Sequence, residues 1–359
     1  MRPDPRALEF HRRLPGYEPT HLAAIEPPGI AGAQRMVVKL ETARFGLPSF
    51  KVLGASWASA RRVAEWLAGG APDRLDLLEL RSALEGRPAR PALMAATDGN
   101  HGRAVAWTAR QLGLAAEIFV PAGTADARRA AIVGEGAVVT VVDGDYDETV
   151  AAAADAATGD RLLVQDTAVP GHEAVVDAVI DGYSTIFAEL DAQLAAPTET
   201  LVLVVPVGVG SLAVAAARYA RSREARTVLV TVEPIEAASL QRSLELGRLV
   251  SLPGPHASCM VGLRCGTISP SAWPVLATAT DVAVALADVE ADDAMRALAE
   301  RGIEVGECGA ASLAAVAQLA SDDRLAPHLN GGPAAVALIA TEGPTDPERW
   351  ARVVGRSPR

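Results

Sequence analysis

Short apolar runs alternate along this chain with longer amphipathic ones. MVVKLE (36–41), ALMAAT (92–97), AAEIFVP (115–121), AVVTVVDG (137–144), LLVQDT (162–167), TLVLVVPVG (200–208), VLVTVEP (228–234) and AVALIAT (335–341) are rich in β-branched residues and lack polar alternation. Such runs predict strands buried on both faces. Between them lie segments with helical spacing. SWASARRVAEWLAGG (56–70) sets Trp57, Ala60, Val63, Ala64 and Leu67 near one face and ends at Gly69-Gly70. HGRAVAWTARQLG closes at Gly113, ADARRAAIVGEG at Gly134 or Gly136, and YDETVAAAADAATG at Gly159. EAVVDAVIDGYSTIFAELDAQL (173–194) predicts one long helix, and SLAVAAARYARSR, ADDAMRALAERG and ASLAAVAQLAS predict three more.

Strand followed by helix, repeated, predicts an α/β fold of mostly parallel sheets covered by helices. The length of 359 residues fits two lobes. We divide them near residue 178, with 1–60 and 178–359 forming the large domain and 61–177 the small one. Residues 1 to 32 are Pro-rich and read as an irregular surface arm, and 71–91 as a charged surface excursion.

Composition narrows the function. The chain has 33 basic against 44 acidic residues, a net charge of -11, and no Lys/Arg cluster, which argues against a nucleic-acid partner. No apolar stretch reaches the length of a membrane span without interruption. The start lacks the apolar core of a signal peptide, so a cytoplasmic location is expected. Three cysteines and six scattered histidines show no disulfide framework and no metal-ligand spacing, so no metal is expected.

The candidate chemistry sits at turns. LPSFKVLGASWA (47–58) puts Lys51 after a Gly/Pro turn and at the mouth of an apolar helix. A partly desolvated lysine can become a neutral amine nucleophile, which arginine cannot. An ordinary helix-start lysine fits the segment equally well. ATDGNHGRAVAW (96–107) places Asp98, Gly99, Asn100 and Gly102 between a strand and a helix, at the sheet edge where open α/β folds bind ligands. Asn100 suits a phenolate oxygen and Asp98 can accept a proton, though either can instead cap the helix. Gly208, Val209, Gly210 and Ser211 run from a strand into a helix and suit a phosphate monoester, or form a tight turn with no ligand. Asp166 ends the strand LLVQDT, and Thr341 ends AVALIAT, where its hydroxyl could face a ring nitrogen. No Gly-x-Ser-x-Gly elbow is present, which argues against a serine hydrolase.

Taken in order, these segments resemble pyridoxal-phosphate enzymes of fold type II, the tryptophan synthase β-subunit type, and within them the diaminopropionate ammonia-lyase family. The likeness is carried by PGYEPT (15–20), RFGLPSFKVLGASWA (44–58), ATDGNHGRAVAW (96–107), VVTVVDGDYDETV (138–150), VQDTA (164–168), GVGS (208–211), MVGLRCG (260–266), GECGA (306–310) and ATEGPTDP (340–347). The resemblance implies that Lys51, next to Phe50, holds pyridoxal 5'-phosphate as a Schiff base and that Asn100 bonds its ring oxygen. Gly208 to Ser211 would hold the phosphate, and Thr341 would face the pyridine nitrogen. Asp98 and Asp166 would serve as bases on opposite faces of a small amino-acid substrate, 2,3-diaminopropionate, giving pyruvate and ammonia. A homodimer is implied as well. The chain departs from the family pattern at Leu40, at Pro48-Ser49, at Cys308 and at His21. Ser49-Phe50-Lys51 is the form seen in serine/threonine dehydratases of the same fold, which keeps dehydration or β-replacement as alternatives.

Overall fold

In a computed structural model the described residues are all but 1–3, 28–32, 69–74, 195–199, 323, 330–333 and 359. The chain divides into two compact units, one made of Pro19–Phe50 and Ile186–Arg359, the other of Asp4–Glu18 and Lys51–Thr185. The divisions follow Phe50 and Thr185, where the sequence suggests residues 60 and 177.

In the smaller unit, helix α1 (Pro5–Arg13) comes first. Next along the chain, in the larger unit, are strands β1 (Leu22–Ile25) and β2 (Ala33–Leu40). The irregular arm expected before residue 32 is therefore corrected, since α1 and β1 both lie in it. Asp4 caps α1 through Arg6 N–H and Pro5 opens it, a position where proline costs no hydrogen bond. Helix α2 (Lys51–Ala68) starts at the lysine itself; Gly69 and Gly70, expected to close it, lie outside the described residues. Helix α3 (Leu77–Leu84) occupies part of the segment expected to be a surface excursion.

Regular alternation follows: β3 (Ala92–Ala96), α4 (Asn100–Leu112), β4 (Ala115–Pro121), α5 (Asp126–Gly134), β5 (Val138–Val142), α6 (Tyr146–Ala156) and β6 (Arg161–Leu163). Gly113 ends α4 in the left-handed conformation, as its position suggests. Strand β6 is shorter than LLVQDT, so Gln165 and Asp166 lie beyond it. Helix α7 (Glu173–Leu194) is followed by β7 (Thr200–Pro206), α8 (Ser211–Ser222) and β8 (Thr227–Pro234). Then come α9 (Ser239–Leu246), α10 (Trp273–Ala279), β9 (Val282–Leu286), α11 (Asp288–Glu300), α12 (Glu307–Leu319), β10 (Ala334–Ala340) and a C-terminal helix, Pro347–Val354.

The smaller unit holds a four-stranded parallel sheet in the order β5-β4-β3-β6. The larger unit holds six strands in the order β1-β2-β10-β7-β8-β9, parallel except for the β1–β2 pair. Each sheet reverses its winding once. The chain runs outward from β3 through β4 to β5 and returns to the other side of β3 as β6. It likewise runs from β7 through β8 to β9 and returns beside β7 as β10. Such a reversal opens a crevice at the carboxyl ends of the two strands that flank it. The core of the larger unit packs Val202, Val204, Val228, Val230, Val336 and Leu338 against α11 and α12, and that of the smaller unit packs Met94, Phe119, Ala153 and Leu163. Each large aliphatic side chain buried this way contributes about 1.5–3 kcal/mol. Among the described residues no helix is long and apolar enough to cross a membrane.

Candidate active site

In the smaller unit, the reversal lies between β3 and β6, and the residues just past both strands carry the polar groups. Gln165 extends the pairing beyond β6: its amide accepts from Ala96 N–H at 2.9 Å and donates to Ala96 C=O at 3.1 Å. That fixes Asp166 beside the turn Thr97–Asn100. Helix α4 begins at Asn100 with Gly99 as its N-cap, and that cap brings no side-chain bond. Thr97 Oγ1 instead accepts from Gly99 N–H at 3.0 Å. The Arg128 guanidinium, from α5, lies over Gly99 and donates to the Asp98 carbonyl at 3.3 Å.

Lys51 Nζ stands 2.7 Å from Asp166 Oδ2, and the two side chains are 22% and 6% exposed. Burial alone would lower the proton affinity of Lys51, yet the Asp166 carboxylate outweighs it and the amine is held protonated. The sequence suggested an amine made neutral by desolvation; the paired carboxylate reverses that expectation. Burial likewise works to raise Asp166, but the Lys51 ammonium, with His101 beyond it, pulls the carboxylate down to about 2. Burial dominates at His101, pushing it down from the ordinary histidine value. Its Nε2 lies 2.8 Å from the Val164 carbonyl, and its Nδ1 lies 3.8 Å from Asp166. The Asp98 charge also acts on Lys51, as does the buried Tyr183 phenol of α7.

In the larger unit, the reversal lies between β7 and β10. Past β7, Gly208 to Ser211 turn into α8. A Cβ on Gly208 would stand 2.7 Å from the Gly262 carbonyl, and Gly210 has a φ of 98°, so both positions require glycine. The loop is held from behind, where Ser269 N–H donates to the Val209 carbonyl at 3.0 Å. The first N–H groups of a helix have no partner within it, and here they open at the buried Ser211. Past β10 stands Thr341, buried, with its Oγ1 lacking any hydrogen-bond partner among the described residues. A helix start cradled by glycines suits a phosphate, and an orphaned hydroxyl suits a ring nitrogen. These residues fit pyridoxal phosphate.

Pro48, Ser49 and Phe50 lie against Thr341, Glu342 and Gly343. Gly343 N–H donates to the Pro48 carbonyl at 2.9 Å, Ser49 bridges Glu342, and Phe50 N–H donates to the Thr341 carbonyl at 3.5 Å. Proline is tolerated because this ladder uses its carbonyl and needs no N–H. The exposed His21 lends Leu40 only its backbone carbonyl, and Cys308 is buried at the start of α12.

Sequence reasoning missed the roles of His101, Arg128 and Tyr183. It also missed a buried network of Lys39, Glu41, Arg44 and Glu189. Lys39 Nζ is 2.7 Å from Glu189, and Arg44 bridges Glu41 at 2.7 Å and Glu189 at 2.8 Å. Arg44 lies on the stretch that leads from β2 to Lys51.

The family model for pyridoxal-phosphate dependent enzymes matches residues 14–342. The diaminopropionate ammonia-lyase of Escherichia coli strain K12 is 33% identical over 368 residues, covering 97% of this chain and 90% of that protein. The crystal structure of holo diaminopropionate ammonia lyase from Escherichia coli superposes with a TM-score of 0.85 at 31% identity, covering 97% of this chain and 90% of that one. The same enzyme in complex with an aminoacrylate-PLP azomethine reaction intermediate gives a TM-score of 0.82 at 32% identity, with the same 97% and 90% coverage. A match of this length, on a chain whose two sheet reversals carry a paired lysine and a phosphate-type helix start, makes this chain a member of the pyridoxal-phosphate dependent enzymes and, within them, of the diaminopropionate ammonia-lyase family.

Proposed function

We propose that this protein is a pyridoxal-phosphate-dependent lyase that eliminates ammonia from 2,3-diaminopropionate, giving pyruvate and ammonia. The observation that carries the reading is the Lys51–Asp166 pair at 2.7 Å, an amine able to hold the cofactor aldehyde directly against a carboxylate able to take a proton. Lys51 would hold the cofactor covalently, beside Phe50, and Asn100 would bond its ring oxygen. Gly208, Val209, Gly210 and Ser211 would hold its phosphate, and Thr341 its ring nitrogen. The bound cofactor supplies an electron sink that makes the Cα proton of an amino acid removable.

The chain's own groups supply the rest. Asp166 is a weak base while the Lys51 ammonium faces it. Once Lys51 Nζ carries no full charge, the largest pull holding Asp166 down is gone and burial raises its proton affinity against His101 and a backbone hydrogen bond alone, so the carboxylate becomes the better base when it is needed. Asp98, from the other strand end, would serve the opposite face of the substrate. A hydroxyl at Thr341, rather than a carboxylate, would leave the ring nitrogen of a bound cofactor largely unprotonated, which would moderate the sink and favour β-elimination. A cytoplasmic homodimer belongs to the same reading.

The test mixes the purified chain with cofactor, follows the visible absorbance band of a lysine-bound cofactor, and then supplies a panel of amino acids. The band should form and should be lost in Lys51→Ala, and diaminopropionate should release pyruvate. Turnover of serine or threonine with none of diaminopropionate would assign the dehydratase reading that Ser49-Phe50-Lys51 suggests. A band that persists in Lys51→Ala would remove the lysine assignment.

A further inference from the structure

The parallel ladder between β3 and β6 stops at Val164. Its last backbone bond runs from Val164 N–H to the Met94 carbonyl at 2.8 Å. Continued in the same pattern, the next rung would join Ala96 N–H to the Val164 carbonyl. Two side chains take the halves of that rung instead. Gln165 Oε1 accepts from Ala96 N–H at 2.9 Å, and His101 Nε2 stands 2.8 Å from the Val164 carbonyl. A carbonyl can only accept, so Nε2 carries the hydrogen and, in the neutral ring, Nδ1 is a bare acceptor. The ring is held at this depth by its neighbour. A Cβ on Gly102 would collide with Thr97 Cγ2 and stand 2.5 Å from Ile118 Cγ2, so α4 lies directly on the sheet. His101 Nδ1 is buried, has no hydrogen-bond partner among the described residues, and lies 3.8 Å from Asp166 Oδ2. Two acceptors thus face each other, an arrangement that one shared proton would complete. Lys51 of α2, Asp98 beyond β3 and Asp166 beyond β6 act on the ring. Elsewhere around α4, Arg103 and Arg110 are paired with Glu135, and Arg128 of α5 bonds the Asp98 carbonyl.

We propose that His101 is a positioning residue that acts through Asp166: its Nδ1 and Asp166 Oδ2 hold one proton between them whenever Lys51 carries no charge. The inference rests on the reading in which Lys51 bears the cofactor and Asp166 serves as a base, and it gives that base a second station. While the Lys51 ammonium faces Asp166 at 2.7 Å, the carboxylate needs no further proton and His101 stays neutral. Burial, first, and the Lys51 charge lower the proton affinity of the ring, while Asp166 raises it, so losing the lysine charge tips the ring toward accepting. The proton that Asp166 takes from the substrate Cα, leaving its bonding pair with the substrate, then moves from Oδ2 to Nδ1. The total charge of the two groups is the same before and after that move, and the carboxylate is restored. The proton returns through Oδ2 to the β-amino group, which leaves as ammonia with the Cβ–N bonding pair.

The test follows the His101 ring in full-length chain without cofactor. The sequence has six histidines, few enough to resolve each by nitrogen NMR of ring-labelled histidine. His101→Gln identifies the His101 signal by its loss and keeps a donor for Val164. Lys51→Met keeps the lysine stem and removes its charge. In that variant the His101 titration should move up by about one pH unit from its wild-type position, so that above the midpoint the protonated fraction is about tenfold higher. In Lys51→Met combined with Asp166→Asn the rise should vanish, because the partner that shares the proton is gone. No upward move in Lys51→Met overturns the proposal. So does a move that persists in the double variant, which would trace to water entering the site and not to Asp166. If Lys51→Met does not fold, Lys51→Ala is read in the same way. The measurement needs neither cofactor nor substrate, so its failure and the failure of the absorbance and pyruvate experiments are separate results.

Discussion

Replacing Asp166 with Asn takes the charge from the carboxylate 2.7 Å from Lys51 and leaves its shape. Asp166 sits at about 2, against an ordinary 3.8, although its burial pushes the other way. Each pK unit is worth about 1.4 kcal/mol, so the carboxylate contributes on the order of 2 kcal/mol to folding at neutral pH. Lys51 and Asp166 are 22% and 6% exposed, so solvent screens the pair little. The sign follows from the depressed value. The contribution is present in full above the unfolded carboxylate range and is lost as pH falls from about 5 to about 2. At the alkaline end the variant differs again, because without Asp166 burial alone acts on Lys51 and lowers it, whereas in wild type it is raised. The stability difference between wild type and Asp166→Asn, measured by urea unfolding of cofactor-free chain, should therefore be flat near neutral pH. It should shrink toward pH 2 and shrink again as the variant's lysine neutralises below its usual range. A difference that holds constant from pH 7 to pH 3 would refute the assignment of the acid arm to this pair.

Two further substitutions test the larger unit. Thr341→Val keeps the shape and removes a buried hydroxyl that has no hydrogen-bond partner among the described residues, whose desolvation costs about 1–3 kcal/mol. Cofactor-free Thr341→Val should melt at or above the wild-type temperature, while cofactor titration followed by absorbance should show weaker binding; a lower melting temperature without cofactor would mean the hydroxyl has a structural partner. Glu189→Gln removes the carboxylate that Lys39 and Arg44 share. Breaking a buried pair in this way costs about 3–5 kcal/mol. Lys39, already lowered by burial against the pull of Glu189, should shed its proton first, so the loss in urea midpoint should lessen toward high pH, and a loss independent of pH would argue that packing is responsible.

The fold was legible where burial is uniform. Strands covered on both faces, such as Thr200–Pro206, show as unbroken apolar runs because every position after Thr200 is buried. At the edge of the same sheet, β9 buries only alternate residues, and its run DVAVALAD carries too weak a signal to be read. Pro5 suggested irregular chain because proline breaks helix interiors, yet with Asp4 as cap it opens a helix. A similar division runs through the site. Asp98, Asn100, Asp166, the Gly208 loop and Thr341 could be picked out because each follows a strand, and the sheet reversals gather those strand ends without any need to know how side chains pack. Tyr183 and Glu189 sit in the middle of α7, where an aromatic looks like core and a glutamate looks like surface. Their partners lie far off in sequence, Glu189 being 150 residues from Lys39. What sets the Tyr183 ring against α2 is the glycine pair Gly54 and Gly182, and a glycine inside a helix ordinarily signals only lost stability. Groups at strand ends are thus placed by topology, which alternating runs disclose. Groups on helices are placed by the register of one helix against another, which here depends on two missing side chains.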